Sequence, residues 1–275
     1  MSKHWEILPA CNPSDNNLEL RELSEFPVGL LYGYGVYTTF RLPLGDEWLE
    51  KHLERLESNA RKIGLQWPYS NQRLMDSIRR LYQPESPVCR VTVFPNVAGY
   101  GDFYREESLP VRLLLSWREP GPNLSRIALQ TIRYQRPMAS IKLNAMAELI
   151  LLKRQARLQG IDDILLVNQQ GCISEASTAN IFFIHRGELV TPQPEHDHCL
   201  PGITRLRVLD VARRHDVMAY EQSLCLDDIS AMDGAFLTNA AQGLISVRCI
   251  DQYSFPWSDG ACALLKGLEA ALVSC

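Results

Sequence analysis

"DHCLPGITRLRVLDVARRHD", residues Asp197–Asp216, joins a Pro-Gly turn to a run of apolar residues at helical spacing. Two readings compete for the turn. In one, His196, His198 and Cys199 are ligands of a metal ion. In the other, the unpaired N–H groups of the helix start form a cradle for an anion. The metal reading is weak, because ligands in adjacent loop positions point in different directions and no second pair of matching spacing exists. The cradle has a physical basis. A helix N-terminus leaves about four backbone N–H groups unpaired and carries partial positive charge. Gly202 admits a ligand close to the backbone, and Thr204 adds a hydroxyl, which suits a phosphate. Pro201, Gly202 and Thr204 would equally serve to turn and cap a helix.

Outward from this stretch the apolar period alternates between helix and strand. Glu47–Gly64 carries Leu49, Leu53, Leu56, Ala60 and Ile63 at helical spacing and ends at a glycine. "CRVTVF" (89–94) and "VRLLLSW" (111–117) read as strands. "REPGPNLS" (118–125) reads as a linker between an N-terminal α/β domain, 1–117, and a C-terminal domain, 126–275. The second half opens with a strand at 126–132 and a helix at 144–160. Strands at 162–168 and 179–185 follow, joined by a turn, "QQGCISEAS". "ELVTP", the opening helix, "GAFLTNAAQGLISV" and a C-terminal helix at 261–273 complete it. Strands and helices mix without regular βαβ alternation, so the expected class is α+β.

Bulk composition narrows the function classes. With 22% charged and 46% hydrophobic residues, the 275-residue chain has the balance of a globular protein with one large or two smaller cores. A net charge of −4 offers no general basic field for nucleic acid. The eight cysteines are scattered without a CxxC pair, which predicts neither a disulfide framework nor a structural zinc site. "MSKHWEILPACNPSDNN" lacks a signal-peptide apolar core, and no run reaches membrane-spanning length. A cytoplasmic protein with no membrane partner is expected.

Three further features carry chemistry. Lys142 in "MASIKLNAM" is flanked by Ile141 and Leu143; partial desolvation there would lower its pKa and make the amine nucleophilic. A snorkelling surface lysine would look the same. Glu175 lies between a turn and an apolar strand, where a carboxylate is costly unless it meets a cation. His52 and Arg55 in "HLERL" stand one helical turn apart and can share a face.

In their order, "GYGVYTTF", "HLERLESNARKIG", "SIKLNAMAELI", "GCISEASTANIFF", "LVTP", "LPGITR" and "FLTNAAQ" resemble the fold-type IV pyridoxal-phosphate enzymes, the class IV aminotransferase family that includes aminodeoxychorismate lyase. The resemblance implies a two-domain, D-amino-acid aminotransferase-like architecture with the active site between the domains, in a homodimer acting on a small-molecule amine. It implies pyridoxal 5'-phosphate as cofactor, bonded covalently by Lys142. Glu175 matches the acid that contacts the pyridine nitrogen. Arg55, Asn239 and the backbone N–H groups of Ile203 and Thr204 match phosphate contacts. Within the family the Thr38-Thr39 pair looks like the lyase version, where aminotransferases usually carry an acid at the first position. This implies a role for the Thr38 hydroxyl in relaying a proton or holding a substrate carboxylate. The expected activity is 4-amino-4-deoxychorismate lyase, with an aminotransferase acting on D- or branched-chain amino acids as the alternative and a metal-dependent hydrolase or cofactor-less binding scaffold as the remote one. Two departures stand out. Asn144, Met146 and Ala147 occupy the region where aminotransferases often have a tyrosine. Pro95 and Asn96 replace a family arginine, which leaves Arg90, Arg105 or another basic residue to meet substrate carboxylates.

Overall fold

The computed structural model describes residues 5–8, 28–97 and 99–274. The N-terminal segment read above for a signal core falls almost wholly outside these residues, as do Cys11 and Cys275. The chain divides into two compact units. One runs to Gly121 and takes in Ile141–Met146; the other holds Pro122–Ser140 and the chain from Ala147 onward.

The first unit contains β1 (Trp5–Leu8), α1 (Val28–Leu31), β2 (Val36–Arg41), α2 (Asp46–Lys62), α3 (Asn71–Arg80), β3 (Val88–Pro95) and β4 (Val111–Arg118). Its four strands form an antiparallel sheet in the order β1-β4-β3-β2. The apolar stripe of α2, Leu49, Leu53, Leu56 and Ala60, packs on Val36, Phe40, Val91, Val93 and Leu113. Truncating the fully buried Leu53 to alanine would cost about 2–5 kcal/mol. Successive strand residues alternate between faces, so Val36, Thr38 and Phe40 share the face toward α2, while Tyr37 and Thr39 lie on the other.

The Lys142 segment, read from sequence into the 126–275 half, makes its contacts within this unit. Leu143 bridges Val36, Tyr37 N–H donates to the Lys142 carbonyl at 3.0 Å, and Asn144 N–H donates to the Gly35 carbonyl at 2.9 Å. Gly35 permits the approach: a Cβ there would lie 2.6 Å from Asn144 Nδ2 and 2.4 Å from the Val93 carbonyl. The extended pairing also delays the following helix, expected from Asn144, to Ala147.

The second unit contains β5 (Ile127–Arg133), α4 (Ala147–Leu158), β6 (Asp163–Val167), β7 (Ile173–Ala176), β8 (Asn180–His185), β9 (Glu188–Thr191), α5 (Pro194–Asp197), α6 (Ile203–Arg214), β10 (Ala219–Glu221), β11 (Gly234–Asn239), β12 (Gly243–Ile250), β13 (Tyr253–Ser254) and α7 (Asp259–Ser274). Its mixed sheet runs β10-β9-β8-β11-β12-β5-β6-β7, with β13 on β12. Both faces of β8 are buried. Ile181 and Phe183 enter one core; Phe182 and Ile184 enter another, with Val208 and Val211 of α6 and Leu265 and Leu268 of α7. The "QQGCISEAS" turn contains a strand, β7, because its residues pair with β6. Among the described residues no helix is long and apolar enough to cross a membrane.

Candidate active site

The residues singled out by sequence fall into two groups, each within one unit. In the first unit Lys142 Nζ lies 4.8 Å from the centroid of the Tyr37 ring. Arg90, opposite Thr39 on β3, stacks on that ring at 3.6 Å. Its other partners are neutral: Nε donates to Thr92 Oγ1 at 3.2 Å and Nη2 to Asn144 Oδ1 at 3.1 Å. Burial works against the Arg90 charge and lowers its pKa from the ordinary arginine value, offset in part by Tyr37. Arg105 is instead exposed and ion-paired with Asp102, so of the two arginines Arg90 is the one that shares the Tyr37 ring with Lys142. Lys153, the other lysine near this stretch, is committed to Asp163 at 2.6 Å.

Thr38 faces the other way. It is wholly buried, and its Oγ1 lies 2.7 Å from His52 Nδ1 and accepts from Arg55 Nη2 at 3.2 Å. The hydroxyl expected to relay a proton or hold a substrate carboxylate thus has His52 and Arg55 as its partners. Strand alternation turns it toward α2, where it braces the His-x-x-Arg pair. Tyr37, on the opposite face, is the neighbour of Lys142.

In the second unit Glu175 projects from β7 and is buried. Arg136 grips its Oε1 through Nε at 2.9 Å and Nη2 at 2.6 Å, a two-pronged ion pair. The Leu200 N–H donates to Oε2 at 3.0 Å. The Asn180 contact to Oε2 is long, 3.4 Å, which leaves that oxygen capacity for one more donor. Sequence reasoning required a cation for Glu175 but did not find Arg136; its signal was an arginine six residues before Lys142.

α6 starts at Ile203 behind Gly202, with no side chain capping its first turn. The N–H groups there are the orphan donors that suit an anion. Gly202 is needed for close packing, since a Cβ would lie 2.1 Å from Asn180 Oδ1. Asn180 Nδ2 in turn donates to the Leu200 carbonyl at 2.7 Å, tying the turn to β8. Ile203 and Thr204 are both buried. Asn239 spends most of its amide on backbone: Nδ2 donates to the Thr178 carbonyl and Oδ1 accepts from Ala241 N–H, each at 2.9 Å. One N–H remains for a ligand. Among the described residues no group of three His, Cys, Asp or Glu side chains could hold a metal ion. A buried carboxylate with one open acceptor position, bonded to the Leu200 N–H just ahead of an uncapped helix start, fits a ring nitrogen and a phosphate carried by one cofactor.

Residues 35–250 match the family model for amino-transferase class IV. A branched-chain-amino-acid aminotransferase of Pseudomonas aeruginosa is 28% identical over 242 residues, covering 81% of this chain and 78% of the relative. A crystal structure from Legionella pneumophila, provisionally assigned as a 4-amino-4-deoxychorismate lyase, superposes with a TM-score of 0.78 at 27% identity, covering 90% of this chain and 95% of that one. An aminotransferase from Brucella abortus bound to PLP shares the fold, with a TM-score of 0.76 at 22% identity and coverage of 92% and 95%. The chain belongs to the class IV aminotransferases, a pyridoxal-phosphate-dependent family.

Proposed function

We propose that the protein is a pyridoxal-phosphate-dependent 4-amino-4-deoxychorismate lyase, which expels pyruvate from its substrate to give 4-aminobenzoate. The observation that carries this reading is Arg90. A half-buried guanidinium whose described partners are a hydroxyl, an amide oxygen and an aromatic ring is electrostatically suited to an anion. It shares its strand face with Thr39, Thr92 and Tyr37, a polar lining poorly matched to a leucine-like side chain. A substrate with a second carboxylate matches it well.

When bound, pyridoxal phosphate supplies an electron sink for breaking bonds at the substrate carbon that bears nitrogen. The chain's own residues do the rest. Lys142 Nζ would hold the cofactor covalently and move the proton at that carbon. Glu175 would meet the ring nitrogen, its carboxylate fixed by Arg136 and the Leu200 N–H. The Ile203 and Thr204 N–H groups, Arg55 and Asn239 would hold the phosphate, with Thr38 and His52 bracing the Arg55 guanidinium. Tyr37 and Arg90 orient the substrate, Arg90 through a carboxylate. The active form is a homodimer.

A second reading, an aminotransferase acting on branched-chain or D-amino acids, is favoured by the Pseudomonas relative named for branched-chain substrates. Incubation with aminodeoxychorismate, assayed for pyruvate and 4-aminobenzoate beside a panel of amino acid and keto acid pairs, separates the two. Brisk transamination without 4-aminobenzoate would overturn the lyase reading. Sedimentation at micromolar concentration tests the dimer.

A further inference from the structure

The cysteines, scattered in sequence, are not all scattered in space. Cys172, at the entrance to β7, forms an antiparallel bridge with Cys225, 53 positions further along the chain. The adjacent pair is held by Ile173 N–H donating to the Leu224 carbonyl at 2.7 Å. That bond makes Cys172 and Cys225 a directly opposed pair outside the hydrogen-bonded rungs, the arrangement in which Cα atoms lie closest, about 4.5 Å apart. Disulfides form across Cα separations of about 4.4–6.8 Å, so no backbone movement is needed to join the two. Both thiols are free. Cys225 is exposed; Cys172 is half-buried. Cys89 and Cys199 are buried, and no two other cysteines face each other in the described strand pairings.

We propose that Cys172 and Cys225 form a redox-active dithiol, a modification site that takes hydrogen peroxide or a small-molecule disulfide as its oxidant and closes to a reversible intramolecular disulfide. The thiols divide the work. Burial, with Asp197 and Cys225 nearby, raises the Cys172 pKa and makes it the poorer first nucleophile. The exposed Cys225 thiolate attacks peroxide: an S–O bond forms, the O–O bond breaks, and hydroxide leaves. Cys172 sulfur then attacks the Cys225 sulfenic acid: the S–S bond forms, the S–O bond breaks, and the departing hydroxide takes up the Cys172 proton as water. Two thiols thus lose two electrons and two protons, and one peroxide becomes two waters. With a disulfide such as oxidised glutathione, Cys225 forms the mixed disulfide and Cys172 expels the second thiol. The new bond staples β7, the strand that carries Glu175, to the chain at 225.

The test uses the full-length, cofactor-loaded protein under native conditions, treated with hydrogen peroxide and, separately, with glutathione disulfide. Expected are a mass lower by two hydrogens, a Cys172–Cys225 linked peptide and full reversal by dithiothreitol. Cys172→Ser should leave Cys225 as a sulfenic acid, with dimedone labelling at least about tenfold above wild type. Cys225→Ser should abolish the linked peptide. Wild-type protein that accumulates labelled Cys225 with Cys172 still a thiol, or that links Cys225 to another cysteine, overturns the proposal.

Discussion

Arg90 and Arg136 are both guanidiniums on the candidate catalytic elements, and they are provided for in opposite ways. Arg136 is 12% exposed and clasps the Glu175 carboxylate with two nitrogens. Arg90 leans on a threonine, an asparagine and a tyrosine ring. Breaking a buried ion pair strands a charge, whereas a cation with neutral partners can be removed without doing so. Arg136 therefore holds the protein's own acid, and in the proposed lyase Arg90 would meet an acid that arrives. The difference separates a residue that maintains a site from one that selects what enters it.

Four experiments break or sharpen this contrast. The largest effect is expected at Lys142, the neighbour of Arg90: Lys142→Ala should lose the visible absorbance of bound cofactor and nearly all turnover. Borohydride reduction followed by peptide mapping should label Lys142; a label on Lys153 would move the site away from the Arg90 face. Next, Glu175→Gln should retain cofactor but slow turnover by roughly two to four orders of magnitude. It should also destabilise the fold by about 3–5 kcal/mol in urea titrations, because Arg136 loses its charge partner. Arg90→Met inverts that pattern. Stability should move by only about 1 kcal/mol, while KM for a dicarboxylate substrate rises roughly tenfold to a hundredfold. An Arg90→Met protein with unchanged KM would end its claim to selectivity. The smallest effect belongs to Thr38→Val: cofactor affinity should fall roughly fivefold to tenfold through loss of the Arg55 brace, with kcat at saturating cofactor nearly unchanged. A large drop in kcat with intact affinity would restore Thr38 to direct chemistry.

What sequence could show follows from how local each signal is. The α6 start was readable because its glycine, its turn and its apolar stripe all lie within a few residues. The facing of Thr38 was also available, since period-two alternation sets Thr38 beside Val36 and Phe40 rather than Tyr37. Arg136 could not be matched to Glu175 by spacing, because the chain between them, 39 positions apart, folds through α4, β6 and the start of β7. The same holds for Lys142, whose segment returns to β2 across about a hundred residues, and for Cys172 with Cys225. Strand register joins these pairs, and register is a property of the assembled sheet. Helix limits slipped where a long-range bridge outcompeted local propensity, as at Asn144.

The bracing of Asn180 turns one corner of the second unit into a gauge. One oxygen of Glu175 is fixed by the Leu200 N–H, and the first turn of α6 opens just after Gly202. Three peptide steps, at most about 10–11 Å of chain, connect the Leu200 N–H to that of Ile203. Asn180 locks both from β8, its amide on the Leu200 carbonyl and its oxygen where a Gly202 Cβ would be. The span is thus set by covalent geometry more than by flexible side chains. A guest must bring a basic nitrogen and an anionic group at a matching distance to engage both ends at once. Pyridoxal lacking its phosphate fills one end only, and a longer tether overshoots. In the proposed cofactor site, selection by length would reside in the backbone between Leu200 and Thr204.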